Sequence, residues 1–288
     1  MTAMILEAAQ TFIWGNARLL ERLLFAYLFK EGKRQPVIAA LRAYQNDDGG
    51  FGHALEPDKR TPNSQPVDQD FALRVLDGLG FDEEMAQRVC GFLMSITTDE
   101  GGVPFVLPTV RNAPRADWWN TDDNPPASIN PTASIAGLLY KYGCHHVWLD
   151  KVTPFCWRKI ENLHEGSAHD FLCAISFLEN TPDRERAEQA FQKISAQLFA
   201  KNLIAFDPQA EGYVKKPLEW APTPNSLCRH LFDDSVIDNH LEAMASQQQV
   251  DGGWPISWPA ISPMCEWEYR GVVTIRALKT LKAYGYFK

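Results

Sequence analysis

Gln45-Asn46-Asp47-Asp48-Gly49-Gly50-Phe51 returns near the other end of the chain as Gln248-Gln249-Val250-Asp251-Gly252-Gly253-Trp254. Glutamine, aspartate, two glycines and an aromatic residue keep the same order and spacing in both. Each copy follows an apolar-periodic run, Val37 to Leu41 in the first and Val236 to Met244 in the second. Two glycines after such a run stop a helix, because the first can take the left-handed conformation and the second relaxes the exit. A weaker copy, Asp99-Glu100-Gly101-Gly102-Val103, follows the first after about 50 residues, and the last full copy lies about 200 residues on, close to four such steps. A period of that size predicts a ring or solenoid of repeated supersecondary units.

The 288 residues suffice for a sizeable core, and 45% hydrophobic with 22% charged residues describe an ordinary globular chain. A formal net charge of -8 argues against nonspecific binding to nucleic acid or to anionic membrane. Met1 to Trp14 carries Glu7 and no basic leader, so it does not read as a signal peptide, and no run reaches the length of a membrane span. Six cysteines stand singly, as buried reduced thiols do, and the expected compartment is the cytoplasm.

Hydrophobic periodicity predicts helices over 4–14, 16–29, 35–45, 68–79, 83–96, 131–143, 149–163, 168–179, 183–200, 224–232, 235–248 and 268–284. Those beginning near 16, 68, 131, 168, 224 and 268 are apolar nearly all round, as helices buried on most sides are. Those at 35–45, 83–96, 149–163, 183–200 and 235–248 carry a charged outer face, of which Asp183-Arg184-Glu185-Arg186 is an example. Six inner and five outer helices leave one outer place, which the leading helix fills by packing beside the last inner one. The expectation is an all-α fold, a single 1–288 domain built as an (α/α)6 barrel, or toroid, of six helical hairpins closed by the N-terminal helix.

The signature Q-x-x-D-G-G-[F/W], at Gln45 to Phe51 and Gln248 to Trp254, resembles the repeat of the terpenoid cyclase and protein prenyltransferase superfamily. Gly101-Gly102 and Glu211-Gly212-Tyr213 are degenerate versions. With the helical period, the resemblance spans essentially the whole chain, and it implies a squalene cyclase-like toroid with a single barrel. It also implies a structural role for Gln45 with Phe51 and for Gln248 with Trp254, tying one hairpin to the next. Fold, rather than reaction, is what such a motif reports.

In toroids of this family the site lies where inner helices begin, and three long loops lead there: Gly49 to Pro66, Gly101 to Asn130 and Gly252 to Cys265. Six of the nine tryptophans, Trp118, Trp119, Trp220, Trp254, Trp258 and Trp267, fall in or beside these loops or the looser one from Phe206 to Pro224. Loops usually expose polar residues, so this crowding predicts an aromatic wall. Candidate catalytic acids are Glu56, Asp58, Asp68 and Asp70, expected to converge at the end of the barrel that holds Trp118 and Trp119. Candidate substrate-binding residues are His53, Trp118, Trp119, Asp122, Asp123, Trp220, Trp258, Glu266, Trp267, Glu268 and Arg270. Helix capping competes for Asp68 and Asp70, turn formation for Asp122 and Asp123, and pairing with Arg270 at i,i+4 for Glu266.

The D-x-D-D string of proton-initiated cyclases is incomplete at Asp68-Gln69-Asp70 and at Asn120 to Asp123. His169, Asp170 and Cys173 miss the spacing of prenyltransferase zinc ligands. No cofactor is implied, and a divalent metal at the acidic rim stays open. The leading reading is a prenyltransferase- or terpenoid cyclase-like protein acting on an isoprenoid or another hydrophobic small molecule. Aromatic faces would steady a carbocation by about 1–2 kcal/mol per ring, and a rim carboxylate would move the proton. The alternatives are a carbohydrate-active (α/α)6 enzyme with paired carboxylates, and a non-catalytic binding toroid.

Overall fold

A computed structural model describes residues 2–287. Twelve α-helices form among them: α1 (Thr2–Asn16), α2 (Leu19–Phe29), α3 (Arg34–Arg42), α4 (Pro66–Leu79), α5 (Glu83–Ser95) and α6 (Ile129–Lys141), then α7 (Val147–Glu161), α8 (Ala168–Asn180), α9 (Arg184–Ala200), α10 (Pro217–Trp220), α11 (Asp234–Ser246) and α12 (Pro263–Ala283). The fold is all-α. Among the described residues only isolated antiparallel bridges occur outside the helices, at Gln45–Phe51, Lys59–Arg115 and Pro104–Ala127. No helix among them is long and apolar enough to cross a membrane.

Local chemistry sets the helix starts. Asp82 accepts the Met85 N–H at the head of α5, and Ser167 and Asp170 cap α8 reciprocally. Ser262 accepts the Cys265 N–H, and Pro263 stands at the first position of α12. That cap starts α12 five residues before the expected position 268. Glu266, Trp267 and Glu268 therefore lie on helix rather than in a loop, and Arg270 lies in its second turn. The helix expected over 224–232 does not form either. The one-turn α10 and a 3-10 turn at Leu227–Leu231 stand in its place, on either side of Pro222 and Pro224. Proline has no N–H to continue a helix and pushes the residue before it out of the helical region.

Two compact units divide the chain, Met1–Ala40 with Leu198–Lys288, and Leu41–Gln197. In the 41–197 unit α6 packs against α4, α7 and α8, and α5 packs against α4 and α7. Gly137 makes the α6–α8 contact possible, since a Cβ there would stand 2.3 Å from the Ser176 carbonyl oxygen. In the other unit α1 packs on α2 and α12, and α11 on α10 and α12.

Three glycine-pair turns repeat one construction. Gly49, Gly101 and Gly252 have φ of 88°, 94° and 91°, the left-handed region. Each turn is closed by the same pair of backbone bonds, at Asn46–Gly50, Thr98–Gly102 and Gln249–Gly253. Asp48 and Asp251 add a carboxylate that accepts the N–H of Gly50 and of Gly253. Gln45 Nε2 donates to the Gly49 carbonyl and Gln248 Nε2 to the Gly252 carbonyl, each at 2.9 Å, and Gln248 also donates to Ile5 O. The second glycine lies close against a phenylalanine of a neighbouring helix: Gly50 on Phe92 of α5, Gly102 on Phe155 of α7, Gly253 on Phe12 of α1. The three rings are almost wholly buried, worth about 2–3 kcal/mol each.

The residue after each pair is held by a buried polar side chain of α4, α6 or α12. Gln69 accepts the Phe51 N–H and donates to its carbonyl. Thr132 does both for Val103. At the third turn Thr274 accepts the Trp254 N–H, while Arg270 Nε donates to its carbonyl at 3.3 Å. Arg270 also donates to Asp251 at 2.7 Å. Asp251, not the expected Glu266, is thus its carboxylate partner, because the guanidinium reaches across to the turn rather than back along its own helix.

A Cβ on residue 252 would sit 2.0 Å from the Ala8 carbonyl oxygen, whereas one on Gly91 meets nothing within 4 Å. Gly252→Ala is expected to lower unfolding stability by about 3 kcal/mol or more in urea titrations. Gly91→Ala, inside α5, is expected to raise it by about 0.5–1 kcal/mol.

Candidate functional site

The loop between the first glycine pair and α4 is wound tightly. Gly52 N–H donates to Tyr44 O, and His53 N–H to Pro62 O. A Cβ on Gly52 would stand 2.4 Å from that Pro62 oxygen. His53 and Ala54 then follow in the left-handed region, with φ of 54° and 59°. Two successive non-glycine residues there cost about 1 kcal/mol each, and strain of this kind gathers at functional sites. His53 is exposed and its Nε2 lies 2.8 Å from Asn46 Oδ1.

Past that bend the chain turns inward and buries Glu56, Asp58 and Lys59 together against Asp68 of α4. Asp68 Oδ1 accepts the Glu56 backbone N–H at 2.9 Å and also receives the Lys59 ammonium. The Gly101-to-Asn130 loop closes over this cluster. Arg60 N–H donates to Pro114 O and Ala116 N–H to Asp58 O, both 2.9 Å, so residues 58–60 and 114–116 pair as a short antiparallel ribbon. Gln65 fastens the same loop, donating to Thr109 Oγ1 and accepting the Leu107 N–H. The ribbon sets Trp119 with Lys59 Nζ 5.7 Å from its ring centre, and Phe105 stacks on the ring at 5.0 Å.

Within this shell the Glu56 carboxyl is only 4% exposed, and neither oxygen has a well-aligned hydrogen-bond partner. Burial raises its pKa from the ordinary 4.5 to about 8. The Lys59 charge opposes the rise, Asp58 and Asp68 add to it, and the nearby Asp58 backbone N–H opposes it slightly. At neutral pH Glu56 therefore carries its proton, the state a general acid needs.

The expected site residues divide. Glu56, Asp58 and Asp68 come together beside Trp119, with Lys59 among them. Asp70 does not join them. Two residues on along α4, about 200° round the helix, it accepts Arg74 Nε at 2.8 Å and Ser134 Oγ at 2.5 Å, and Arg74 also donates to Ser134. That contact joins α4 to α6, and Asp70 holds the Arg74 pKa up. Trp118 points outward, 46% exposed. Asp122 and Asp123 are exposed, and Asp123 pairs with Arg111.

Trp220, Trp258, Glu266, Trp267, Glu268 and Arg270 belong to the other unit. Trp220 is buried, and Trp258 stands edge-on between Tyr213 and Tyr269. Arg270 lies over the rings of Phe12 and Trp267 and is committed to the third glycine turn. Among the described residues no three His, Cys, Asp or Glu side chains gather as a metal-ligand set. Asp170 is taken up in the cap of α8. The residues that sequence reasoning passed over are Gln65, Gln69, Arg74 and Ser134, while Lys59 reads from sequence only as a cation offsetting the acidic rim. A lysine enclosed by the acids Glu56, Asp58 and Asp68 was the one local signal for a buried ion pair.

The fold is similar to that of a crystal structure of a protein from Actinoplanes, with a TM-score of 0.58, 17% identity, 98% of this chain covered and 100% of the other. No protein-family model matches the chain, and no curated protein matches it in sequence.

The raised pKa makes Glu56 a burden on folding. Below pH 4.5 it is protonated folded or unfolded. Between 4.5 and about 8 only the unfolded chain ionises, so stability falls as pH rises, and above about 8 the loss is complete. It comes to about 3 kcal/mol at pH 7 and about 5 kcal/mol above pH 8. Glu56→Gln, neutral throughout, is expected to be more stable than the parent at pH 8 by a few kcal/mol. Denaturant titrations from pH 5 to 8 should show a flatter profile for the variant.

Proposed function

We propose that the twelve helices close as an (α/α)6 toroid of the terpenoid cyclase and protein prenyltransferase kind, and that the protein performs acid/base chemistry on a hydrophobic small molecule. Three features support the toroid. The glycine-pair turn recurs with one geometry, each time against the outer helix one hairpin further on. At the last turn that place is taken by α1, whose Phe12 does there what Phe92 and Phe155 do at the others. And α1 packs on α12, the contact a closed ring requires of its first and last hairpins.

The observation that carries the chemistry is the Glu56 carboxyl, buried beside Asp58, Lys59 and Asp68 and protonated at neutral pH. A group that costs about 3 kcal/mol of stability at pH 7 is retained more readily for function than for folding. In this reading Glu56 is the proton donor, while Asp68 and Lys59 position the loop that carries it. Trp119 and the Phe105 ring stacked on it supply the apolar surface beside that donor. All six cysteines are buried thiols without disulfides, which fits a reducing compartment such as the cytoplasm.

Thermal-shift measurements against isoprenoid alcohols and against neutral oligosaccharides separate this reading from the glycan one. A ligand present at about 100 times its Kd adds about 2.7 kcal/mol, a shift of several degrees. The expected result is a rise with farnesol-like chains and none with sugars. A rise with sugars alone transfers Glu56 to glycoside chemistry.

A further inference from the structure

The Glu56 shell holds more hydrogen-bonding capacity than the chain uses. Both Glu56 carboxyl oxygens are buried without a well-aligned partner, and so is the Trp119 indole N–H. The two side chains are 4% and 9% exposed. Lys59 links them, with its Nζ 5.7 Å from the centre of the Trp119 ring and its charge acting on Glu56. Buried polar groups are almost always satisfied, so orphaned ones within one buried shell suit a ligand that supplies their partner. The spare indole group is a donor, and a protonated carboxyl has an O–H to give.

The charges narrow what that partner is. A cation would meet the Lys59 ammonium and the indole N–H. An anion would meet Asp58 and Asp68. A neutral oxygen, carried by an alcohol or a carbonyl, accepts from both donors and adds no charge to a dry site. We infer that the shell of Glu56, Lys59 and Trp119 is the anchor for a single neutral oxygen function on an otherwise apolar ligand, bound by hydrogen bonds from the Glu56 carboxyl and the Trp119 indole. This rests on the reading of the protein as one that takes a hydrophobic small molecule, and it specifies which members of that class bind. Trp119 is in this role a specificity determinant, with Phe105 stacked behind it to fix the ring.

Titration calorimetry with geraniol and with myrcene, a hydrocarbon of matching chain length, tests it on the parent and on Trp119→Phe. The variant keeps the ring and loses only the N–H. Geraniol is expected to bind the parent about tenfold more tightly than myrcene, and the variant to lose most of that gap while its affinity for myrcene is unchanged. Equal binding of both probes to the parent overturns the oxygen anchor and leaves the apolar reading standing; the orphaned groups are then satisfied by water. A gap that survives in Trp119→Phe places the oxygen elsewhere and overturns the anchor as well. Failure of both probes to bind overturns anchor and apolar reading together.

Discussion

At the two full copies of the repeat the glycine pair passes directly beneath a neighbouring helix, close enough that any side chain at its first position would strike a backbone carbonyl. This constraint organises the molecule. At Gly49 the obstructing oxygen is that of Arg88, and at Gly252 that of Ala8. The second glycine then packs closely against a phenylalanine ring, which turns a polar turn into part of the core. Because the next backbone group is caught by Gln69, Thr132 or Thr274, the direction of the following loop is set at its first residue. The repeat is therefore one of backbone geometry, and its side chains vary wherever that geometry allows. In the second copy Val103 stands where the others have an aromatic residue, and Thr132 does the work of Gln69.

That fixed exit direction delivers Glu56 to the interior. The chain leaves Gly50, bends through two left-handed residues, and has Asp68 waiting on α4 to receive both the Glu56 amide and the Lys59 ammonium. A buried ion pair of this type adds little net stability, but removing one partner alone leaves an uncompensated charge, so it holds its loop in a single arrangement. Glu56 has no such compensation. Its carboxyl sits among charges that oppose each other, and desolvation decides the outcome. The neutral carboxyl is then a buried proton source that folding itself does not need.

Helix positions and the glycine repeat were legible in the sequence because both rest on local rules, periodicity for the first and the left-handed preference of glycine for the second. The stretch around 224 was not, since its apolar residues suggest a helix while Pro222 and Pro224 forbid one. The early start of α12 was readable in Ser262-Pro263, but the prolines and tryptophans before it look like loop. Among the acids, Glu56 and Asp58 beside His53 were visible as a group that no turn requires. Asp70 was expected with Asp68, although two residues two apart on a helix point to different faces. The burial of Lys59 was hidden, because it depends on the Pro114-to-Ala116 ribbon arriving from a loop more than 50 residues away in sequence. Arg270 looked like a rim cation for the same reason, since its partner Asp251 belongs to the glycine turn.

The protonation state of one carboxyl is the point on which the functional account stands. Carbon-13 NMR of the side-chain carboxyls, with Glu56 assigned through Glu56→Gln, follows it directly through a pH titration. The account predicts a midpoint near 8 for Glu56, far from the ordinary 4.5. A midpoint near 4.5 would show an ionised carboxylate at neutral pH and contradict a proton donor at this position.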